Sequence, residues 1–250
     1  MALHPLATRF ADAADVYERG RPAYAPAVVG ALCAELGLTA GAPVLDLGAG
    51  TGKLTCALLD FGLDVVAVEP QAELRELLAA VVGADRAREG LAEAIPLPDG
   101  SVDAVTVADA FHWFDRAAAL AEIARVLCPG GGLALLSTGP DWRGASWGDE
   151  VGKLMEGLRP EHPGIGGQAW QDVVREAGGF AAPREVHVKV WQPASPERFL
   201  DYIASVSWVA AMPEDERAAT IGRIEALIRA GETPAEIPVR TVIGLTTLLP

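Results

Sequence analysis

The feature that most constrains this sequence is a series of alternating glycines directly after a short apolar run. The run predicts a buried strand over 43–48. Gly48, Gly50 and Gly52 allow a tight turn and a close approach of the backbone to a ligand, because glycine has no Cβ. Apolar residues at helical spacing follow from Leu54, and free N–H groups at a helix start attract an anionic group. The segment therefore predicts a strand, a turn and a helix that bind a carboxylate or a phosphate.

The spacing of these glycines distinguishes between two classes of nucleotide. A dinucleotide-binding fingerprint is G-x-G-x-x-G, with an acidic residue about twenty positions later. Residues 46–52 instead follow the order Asp-x-Gly-x-Gly-x-Gly, so the third glycine comes early. The next predicted strand, 64–69, ends in Glu69, and an acid there can accept hydrogen bonds from both hydroxyls of a ribose. The pattern favours an amino-acid nucleoside over a dinucleotide.

Strand and helix patterns alternate along the first part of the chain. Strands are predicted over 43–48, 64–69, 86–90, 102–108 and 133–138, and helices from Pro26 to Gly37 and over 52–61, 71–82 and 115–127. In helix 71–82 the buried stripe is expected to consist of Leu74, Leu77, Leu78 and Val81. This alternation predicts an α/β fold with a doubly wound, mostly parallel sheet and right-handed crossovers. Ligands in such sheets bind beyond the carboxyl ends of the strands.

The later part of the chain contains both scaffold and inserted elements. A helix near 167–177, a strand near 184–191 and a closing strand over 238–248 continue the sheet pattern. Residues 196–230 predict an inserted pair of helices, which is a natural cap over a small-molecule site. We therefore expect a single domain over 1–250 that carries a helical cap.

Composition limits the partners and the compartment. The net charge of −14 disfavours nucleic acid, because binding to phosphates rests on Lys and Arg. Three widely spaced cysteines suggest reduced thiols in a cytoplasmic protein, and scattered histidines without a C-x-x-C pair disfavour a metal site. Neither a signal segment nor a membrane-spanning apolar run is predicted. The oligomeric state is not predicted.

Several motifs follow one another in the order found in a known family. They are Phe10…Tyr17…Arg21-Pro22, the 46–52 turn, Val68-Glu69-Pro70, and the segments 90–96, 108–114 and 125–131. In this combination, over roughly 8–140, the chain resembles class I S-adenosylmethionine (SAM)-dependent methyltransferases, including ubiquinone-pathway and trans-aconitate methyltransferases (methyltransferase type 11). The resemblance implies a Rossmann-like, seven-stranded sheet with its last strand antiparallel, SAM as cofactor and S-adenosyl-L-homocysteine as product. It also implies that residues 1–24 fold over the site as a lid.

The resemblance and the positions of the strand ends together place the expected site residues. Those expected to bind the cofactor are Arg21, Asp46, Gly48, Ala49, Gly50, Glu69, Pro70, Leu91, Ala92, Glu93 and Asp109. Those expected to line the substrate pocket are Tyr17, His112, Trp113, Trp142, Trp147, Tyr202 and Trp208. Arg21 is interpreted either as a surface arginine or as a charged partner of the cofactor carboxylate.

His112 is the candidate catalytic residue, because it follows strand 102–108 and a histidine can take a proton from a hydroxyl or amine nucleophile. The alternative is a pocket wall packed against Trp113. The chain departs from the family at two positions. Leu91 stands where many relatives carry an acid or a hydroxyl beside the adenine, so adenine would rely on backbone groups near Ala92. Asp109 stands where close relatives often carry Gln, and it could stabilise the sulfonium of the cofactor or bind a cationic substrate.

The resulting hypothesis is methyl transfer to a small-molecule acceptor, by in-line attack on the methyl group of a sulfonium. The enzyme would mainly align the two partners and exclude water. Alternatives are a SAM-binding protein that transfers no methyl group, a non-methylating reaction on the same fold, and a nicotinamide-dependent oxidoreductase. The early third glycine and the lack of a Tyr-x-x-x-Lys pair disfavour the oxidoreductase.

Overall fold

The computed structural model describes residues 19–158 and 168–250. Their contacts divide the chain into two compact units. Of the described residues, the sheet unit contains 23–138, 168–188 and 241–250, and the helical unit contains 19–22, 139–158 and 189–240. The predicted cap, 196–230, belongs to the helical unit together with 139–158.

Seven strands form one sheet. They are β1 (Pro43–Leu47), β2 (Asp64–Val68), β3 (Ala87–Arg88), β4 (Val102–Ala108), β5 (Leu127–Pro140), β6 (Arg184–Pro193) and β7 (Glu236–Thr247). Their spatial order is β3-β2-β1-β4-β5-β7-β6. The pairs β1–β2, β1–β4, β2–β3 and β4–β5 are parallel. The order reverses beside β1, which is the kind of switch point where ligands bind in α/β sheets.

The closing strand β7 runs antiparallel to β5, as the family resemblance implied. Leu248 N donates to Gly131 O at 2.8 Å, and the hydroxyls of Thr138 and Thr241 lie 3.0 Å apart, so the paired positions run in opposite directions. The doubly wound, seven-stranded and mostly parallel fold is confirmed.

Helices in the sheet unit cover both faces of the sheet. They are α1 (Pro26–Leu36), α2 (Lys53–Asp60), α3 (Ala72–Val82), α4 (Arg116–Val126) and α6 (Trp170–Ala177). Successive strand residues point to opposite faces, so Leu45 and Leu47 join an apolar cluster with Leu120 of α4, whereas Val44 joins a second cluster with Leu58 of α2. This alternation is why a chain with buried strands needs helices on both sides.

The helical unit has its own apolar core. Its helices are α5 (Gly148–Gly157), α7 (Pro196–Ala204), α8 (Ser207–Ala210) and α9 (Glu214–Ala230). Phe199 and Ile203 of α7 and Ile224 and Ile228 of α9 are each at most 2% exposed and belong to one cluster. The predicted pair of inserted helices is therefore present, with the short α8 between them.

Two details differ from the sequence-based expectations. In α3 only Leu74 and Leu78 are buried, whereas Leu77 is 44% and Val81 is 60% exposed. The reason is that α3 lies against the edge of the sheet, where β3 has only two residues, so one narrow face of the helix is covered. The strand predicted over 133–138 begins earlier than expected, because β5 starts at Leu127, and its pairing with β4 shifts register between Leu127 and Gly132.

Among the described residues, no helix combines the length and apolar character needed to cross a membrane.

We expect Gly52→Ala to destabilise the protein in two ways, through backbone strain and through a steric clash with α3. Gly52 has φ +92°, and a Cβ there would lie 2.8 Å from Leu78 Cδ1 of α3. Left-handed backbone costs about 1–2 kcal/mol for a residue with a Cβ, and overpacking adds about 1–3 kcal/mol. Urea denaturation should show a loss of about 2–5 kcal/mol.

The control for this substitution is Gly37→Ala. Gly37 ends α1 at φ +67° with no described atom within 4 Å of an added Cβ, so only the backbone cost of about 1–2 kcal/mol applies. Equal losses in the two variants would contradict a close contact between Gly52 and α3.

Candidate active site

A single buried carboxylate connects the turns that follow β1 and β2. Glu69 lies directly after β2 and is 4% exposed. Its Oε2 accepts a hydrogen bond from Gly50 N at 2.9 Å, and its Oε1 accepts one from Gln71 N at 3.0 Å. A carboxylate has about four lone-pair sites, so Glu69 retains acceptor capacity for a ligand.

The charge state of Glu69 reflects competing effects. Burial raises the pKa of this carboxyl, while the backbone N–H groups of Gln71 and Gly50 and the charge of Arg75 lower it. Arg75 also holds the turn from behind, because its Nη1 donates to both Glu69 O and Pro70 O at 3.0 Å. The carboxylate is therefore fixed in place through its own backbone.

The glycine turn is held against the end of β2. The N–H groups of Gly48 and Ala49 both donate to Val68 O, at 2.9 and 3.1 Å. Gly48 and Gly50 have positive φ angles of 71° and 58°. A Cβ on Gly48 would lie 3.0 Å from Ala110 Cβ, whereas one on Gly50 would meet no described atom within 4 Å. The backbone at Gly50 thus borders open space.

Asp46 lies beneath this turn. Its side chain is buried, with Oδ2 accepting from Thr55 Oγ1 at 2.6 Å and Oδ1 lying 3.1 Å from Thr106 Oγ1. These contacts join β1 to α2 and to β4. Burial raises the pKa of Asp46 to about 6, against the hydrogen bonds from the two threonines. The side chain therefore supports the turn from inside the sheet unit.

The loop after β3 lies at the third strand end. Ala94 N donates to Leu91 O at 3.1 Å, which closes a tight turn around Ala92, and Ala92 is 5% exposed. Glu93 Oε1 accepts from Asp115 N at 2.8 Å, so the turn is also tied to the start of α4. Leu91 is half-buried.

The segment after β4 contains the expected catalytic candidate. Asp109 has φ 49°, an unusual conformation for a residue other than glycine and one found in functional sites. Its N–H donates to Leu136 O at 2.9 Å. His112 and Trp113 follow in a short 3₁₀ turn, half-buried, with ring centroids 4.5 Å apart. The sheet unit therefore holds Asp46–Gly50, Glu69, Ala92 and Asp109–Trp113 at adjacent strand ends.

The remaining expected site residues that the structure describes, for the cofactor and for the pocket, belong to the helical unit. Arg21 Nε donates to Ser205 Oγ at 3.1 Å, and its guanidinium lies 5.2 Å from the ring centroid of Tyr202. Trp142 packs edge-on against Tyr202, with centroids 5.7 Å apart. Trp208 is half-buried beside the apolar core of the helical unit. Tyr17 lies outside the described residues.

Trp147 differs from these residues because it is 3% exposed and forms part of the interior. Its ring packs edge-on against Phe199 at 4.7 Å, and its Nε1 donates to Thr233 Oγ1 at 3.1 Å. Both contacts are those of a packing residue.

Sequence reasoning did not identify the residues that hold these turns. Thr55, Thr106 and Arg75 contact the site residues from neighbouring elements. Thr106, which lies between two valines inside a buried strand, was the available signal, because a buried hydroxyl needs a partner. In the part of the chain that the structure describes, no group of His, Cys, Asp or Glu is placed to hold a metal ion.

Known proteins similar to this chain are methyltransferases. The family described as "Methyltransferase domain" matches residues 45–135. An uncharacterized methyltransferase of Mycobacterium tuberculosis is 40% identical over 219 residues, which cover 88% of this chain and 85% of that protein. An uncharacterized methyltransferase-like protein of Schizosaccharomyces pombe is 31% identical over 82% of this chain and 80% of its own length.

The chain belongs to the class I SAM-dependent methyltransferases. Among solved structures, a candidate methyltransferase of an antibiotic biosynthesis pathway from Anabaena variabilis has the same fold. Its TM-score is 0.64 at 24% identity, over 92% of this chain and 99% of that chain. SAM is the methyl donor of the family.

The strand-end residues of this methyltransferase fit that cofactor. Glu69 has acceptor capacity for ribose hydroxyls, and the backbone at Gly50 borders open space. Ala92 N–H donates to no acceptor among residues 19–158 and 168–250. Each group is of a type that a nucleoside carrying an amino acid requires.

The stability of the wild-type methyltransferase should fall as pH rises from about 4 to 6, and we expect Asp46→Asn to abolish this fall. The folded protein keeps a proton on Asp46 up to about pH 6, whereas the unfolded chain releases it near 3.8. The wild type therefore loses stability as pH rises through this interval, by up to about 3 kcal/mol. An amide is neutral throughout, and its Nδ2 can donate to Thr106 Oγ1, which can in turn donate to Leu45 O.

Urea denaturation at pH 4, 5, 6 and 7 checks this expectation. The Asn variant should gain stability relative to the wild type as pH rises, with most of the gain between pH 4 and 6. Asp60→Asn changes an exposed carboxyl at the end of α2 and should follow the wild type. Parallel curves for Asp46→Asn and the wild type would contradict the raised pKa.

Proposed function

We propose that this methyltransferase transfers a methyl group from SAM to a small-molecule acceptor. The observation that carries the proposal is the Glu69 carboxylate, which is buried, fixed by two backbone N–H groups and still able to accept further hydrogen bonds. Such a carboxylate suits the two hydroxyls of a ribose, and it is tied directly to the glycine turn.

The groups around Glu69 are assigned to the other parts of the cofactor. Gly48, Ala49 and Gly50 border the amino-acid end, since a side chain at Gly50 would occupy the open space. Pro70, Leu91 and Glu93 surround the adenine, and Ala92 N–H donates to its edge. Asp46 acts indirectly, because its oxygens contact Thr55 and Thr106 and its burial leaves no exposed surface for a ligand.

The chemistry requires alignment more than it requires a base. Bound SAM supplies a methyl group on a positively charged sulfur, which a nucleophile can attack in line. The protein then has to hold the acceptor along that line and exclude water. Asp109, whose backbone is fixed at positive φ, is assigned to the charged end of the cofactor or to a cationic acceptor. His112 and Trp113 are assigned to the acceptor side.

The acceptor class is inferred from the helical unit and from charge. Half-buried aromatic rings of Trp142, Tyr202 and Trp208, with the Arg21 guanidinium over Tyr202, suit a small organic molecule. The net charge of −14 opposes a nucleic acid. A cytoplasmic location is proposed because all three cysteines are free thiols, which is typical of proteins in a reducing compartment.

The end of the predicted lead-in is fastened to α7 within the helical unit. Arg19 Nε pairs with Asp201 Oδ2 at 2.9 Å, and a Cβ on Gly20 would lie 2.4 Å from the backbone of α7. Arg21 adds its hydrogen bond to Ser205. These contacts support the proposal that the lead-in and the 196–230 cap act together as a lid. Arg21 is proposed as a charged partner of the cofactor carboxylate.

Calorimetry on Glu69 variants tests the cofactor assignment. Wild type should bind S-adenosylhomocysteine and should not bind NADH. Glu69→Ala should weaken binding by more than tenfold, because hydrogen bonds to a charged group are worth about 1.5–3 kcal/mol each and tenfold needs about 1.4 kcal/mol. Glu73→Ala, an exposed acid in the first turn of α3, is the matched control and should bind normally. Binding of NADH without S-adenosylhomocysteine would overturn the proposal.

Kinetics of His112→Asn test the acceptor side, with an acceptor found by screening small molecules for release of S-adenosylhomocysteine. We expect a higher KM for the acceptor and a kcat within about threefold, because the ring packs on Trp113 as a wall would. His187→Asn, at an exposed position of β6, should change neither value. A fall in kcat of about 10²-fold that shrinks at high pH would instead assign proton removal to His112.

A further inference from the structure

The side chain of one arginine joins α4 to the loop that precedes β4. The Arg125 side chain on α4 has five such donors. Its Nη2 donates to Ile95 O at 2.9 Å, and its Nη1 donates to Leu97 O at 2.9 Å and to Asp99 Oδ1 at 2.7 Å. The other two donors, on Nε and Nη2, bind Glu122 at 2.8 and 2.7 Å. The guanidinium is thereby fully occupied.

Glu122 completes the arrangement from one turn earlier in α4. Its Oε2 also accepts from Ile95 N at 2.8 Å, so both backbone polar groups of Ile95 are held by this pair. The hydrogen bond from Arg125 holds the pKa of Glu122 below its usual range, against partial burial. Glu122 therefore stays ionised and keeps the planar guanidinium in one orientation.

Ile95, whose backbone is bound by Arg125 and Glu122, directly follows the turn that contains Ala92. Ala94 N closes that turn on Leu91 O, and Ile95 is the next residue. Ala92 and Ile95 are buried, at 5% and 4% exposure, and both belong to the same apolar cluster of the sheet unit. The contacts made by α4 therefore hold the backbone three residues after Ala92.

We propose that Arg125, oriented by Glu122, is a positioning residue that fixes the Ala92 N–H toward the adenine edge and thereby sets the preference of the site for adenine. The inference rests on the proposed function, which assigns Ala92 to adenine. Adenine offers an acceptor at N1, whereas hypoxanthine carries N1–H there and would face the amide with a second donor. A polar site rejects an analogue that leaves its buried groups unpaired.

The test compares S-adenosylhomocysteine with S-inosylhomocysteine by calorimetry. Wild type should prefer the adenosine compound by at least about tenfold, equivalent to about 1.4 kcal/mol. Arg125→Lys keeps the charge but lacks the fork of donors. This variant should bind S-adenosylhomocysteine about tenfold more weakly and S-inosylhomocysteine with nearly unchanged affinity, so the preference disappears. Hydrogen exchange at Ala92 should accelerate in the same variant.

Asp99→Asn is the matched control, because Asp99 contacts the same guanidinium but its side chain is 81% exposed and contributes no backbone contact. It should retain the wild-type preference. If Arg125→Lys does not fold, Glu122→Gln carries the same measurement, with an expected loss of preference of about threefold.

The outcomes separate the two proposals. A wild type that does not bind S-adenosylhomocysteine would overturn the proposed function, and this inference with it. Normal binding without a preference for adenosine, or an Arg125→Lys variant that loses both compounds equally, would overturn the inference alone. An equal loss is what a merely structural arginine would produce.

Discussion

The geometry of the proposed cofactor site depends on the hydrogen bonds of the Glu69 carboxylate. Parallel strands place the ends of β1 and β2 side by side, but they do not fix the direction of the turns that follow. Glu69 does this by accepting from Gly50 N on one side and from Gln71 N on the other. Because burial raises the pKa of the carboxyl and these donors oppose that rise, the same contacts that shape the site also favour the charged form.

The other strand-end segments are held by side chains of neighbouring elements. Asp46 joins the glycine turn to Thr55 and Thr106, and Arg125 joins the loop of Ala92 to α4. A catalyst that works by alignment requires such support, because small displacements of the aligned groups reduce the rate strongly. The supporting contacts are charged or buried hydrogen bonds, which hold direction better than apolar packing does.

Much of the fold was predictable because the signals are local. Alternating apolar runs and helical stripes gave the strands and helices of the sheet unit, and the Asp-x-Gly-x-Gly-x-Gly order with Glu69 indicated the class of ligand. The failures came where burial depends on neighbours. Leu77 and Val81 have the period of a buried stripe, yet β3 is too short to cover them. The strand predicted over 133–138 begins at Leu127 instead, because Leu127 already pairs with Val102 of β4.

The sequence by itself determined the α/β architecture, the glycine turn and the position of an acid after β2, because backbone conformation and hydrophobic period are properties of neighbouring residues. Only the tertiary structure decided how those residues are held. Thr106 lies 60 positions from Asp46 in the chain, and Arg125 lies 30 positions from Ile95. Such pairs meet only after the sheet has formed, and a hydrogen bond between distant residues leaves no period or spacing in the sequence.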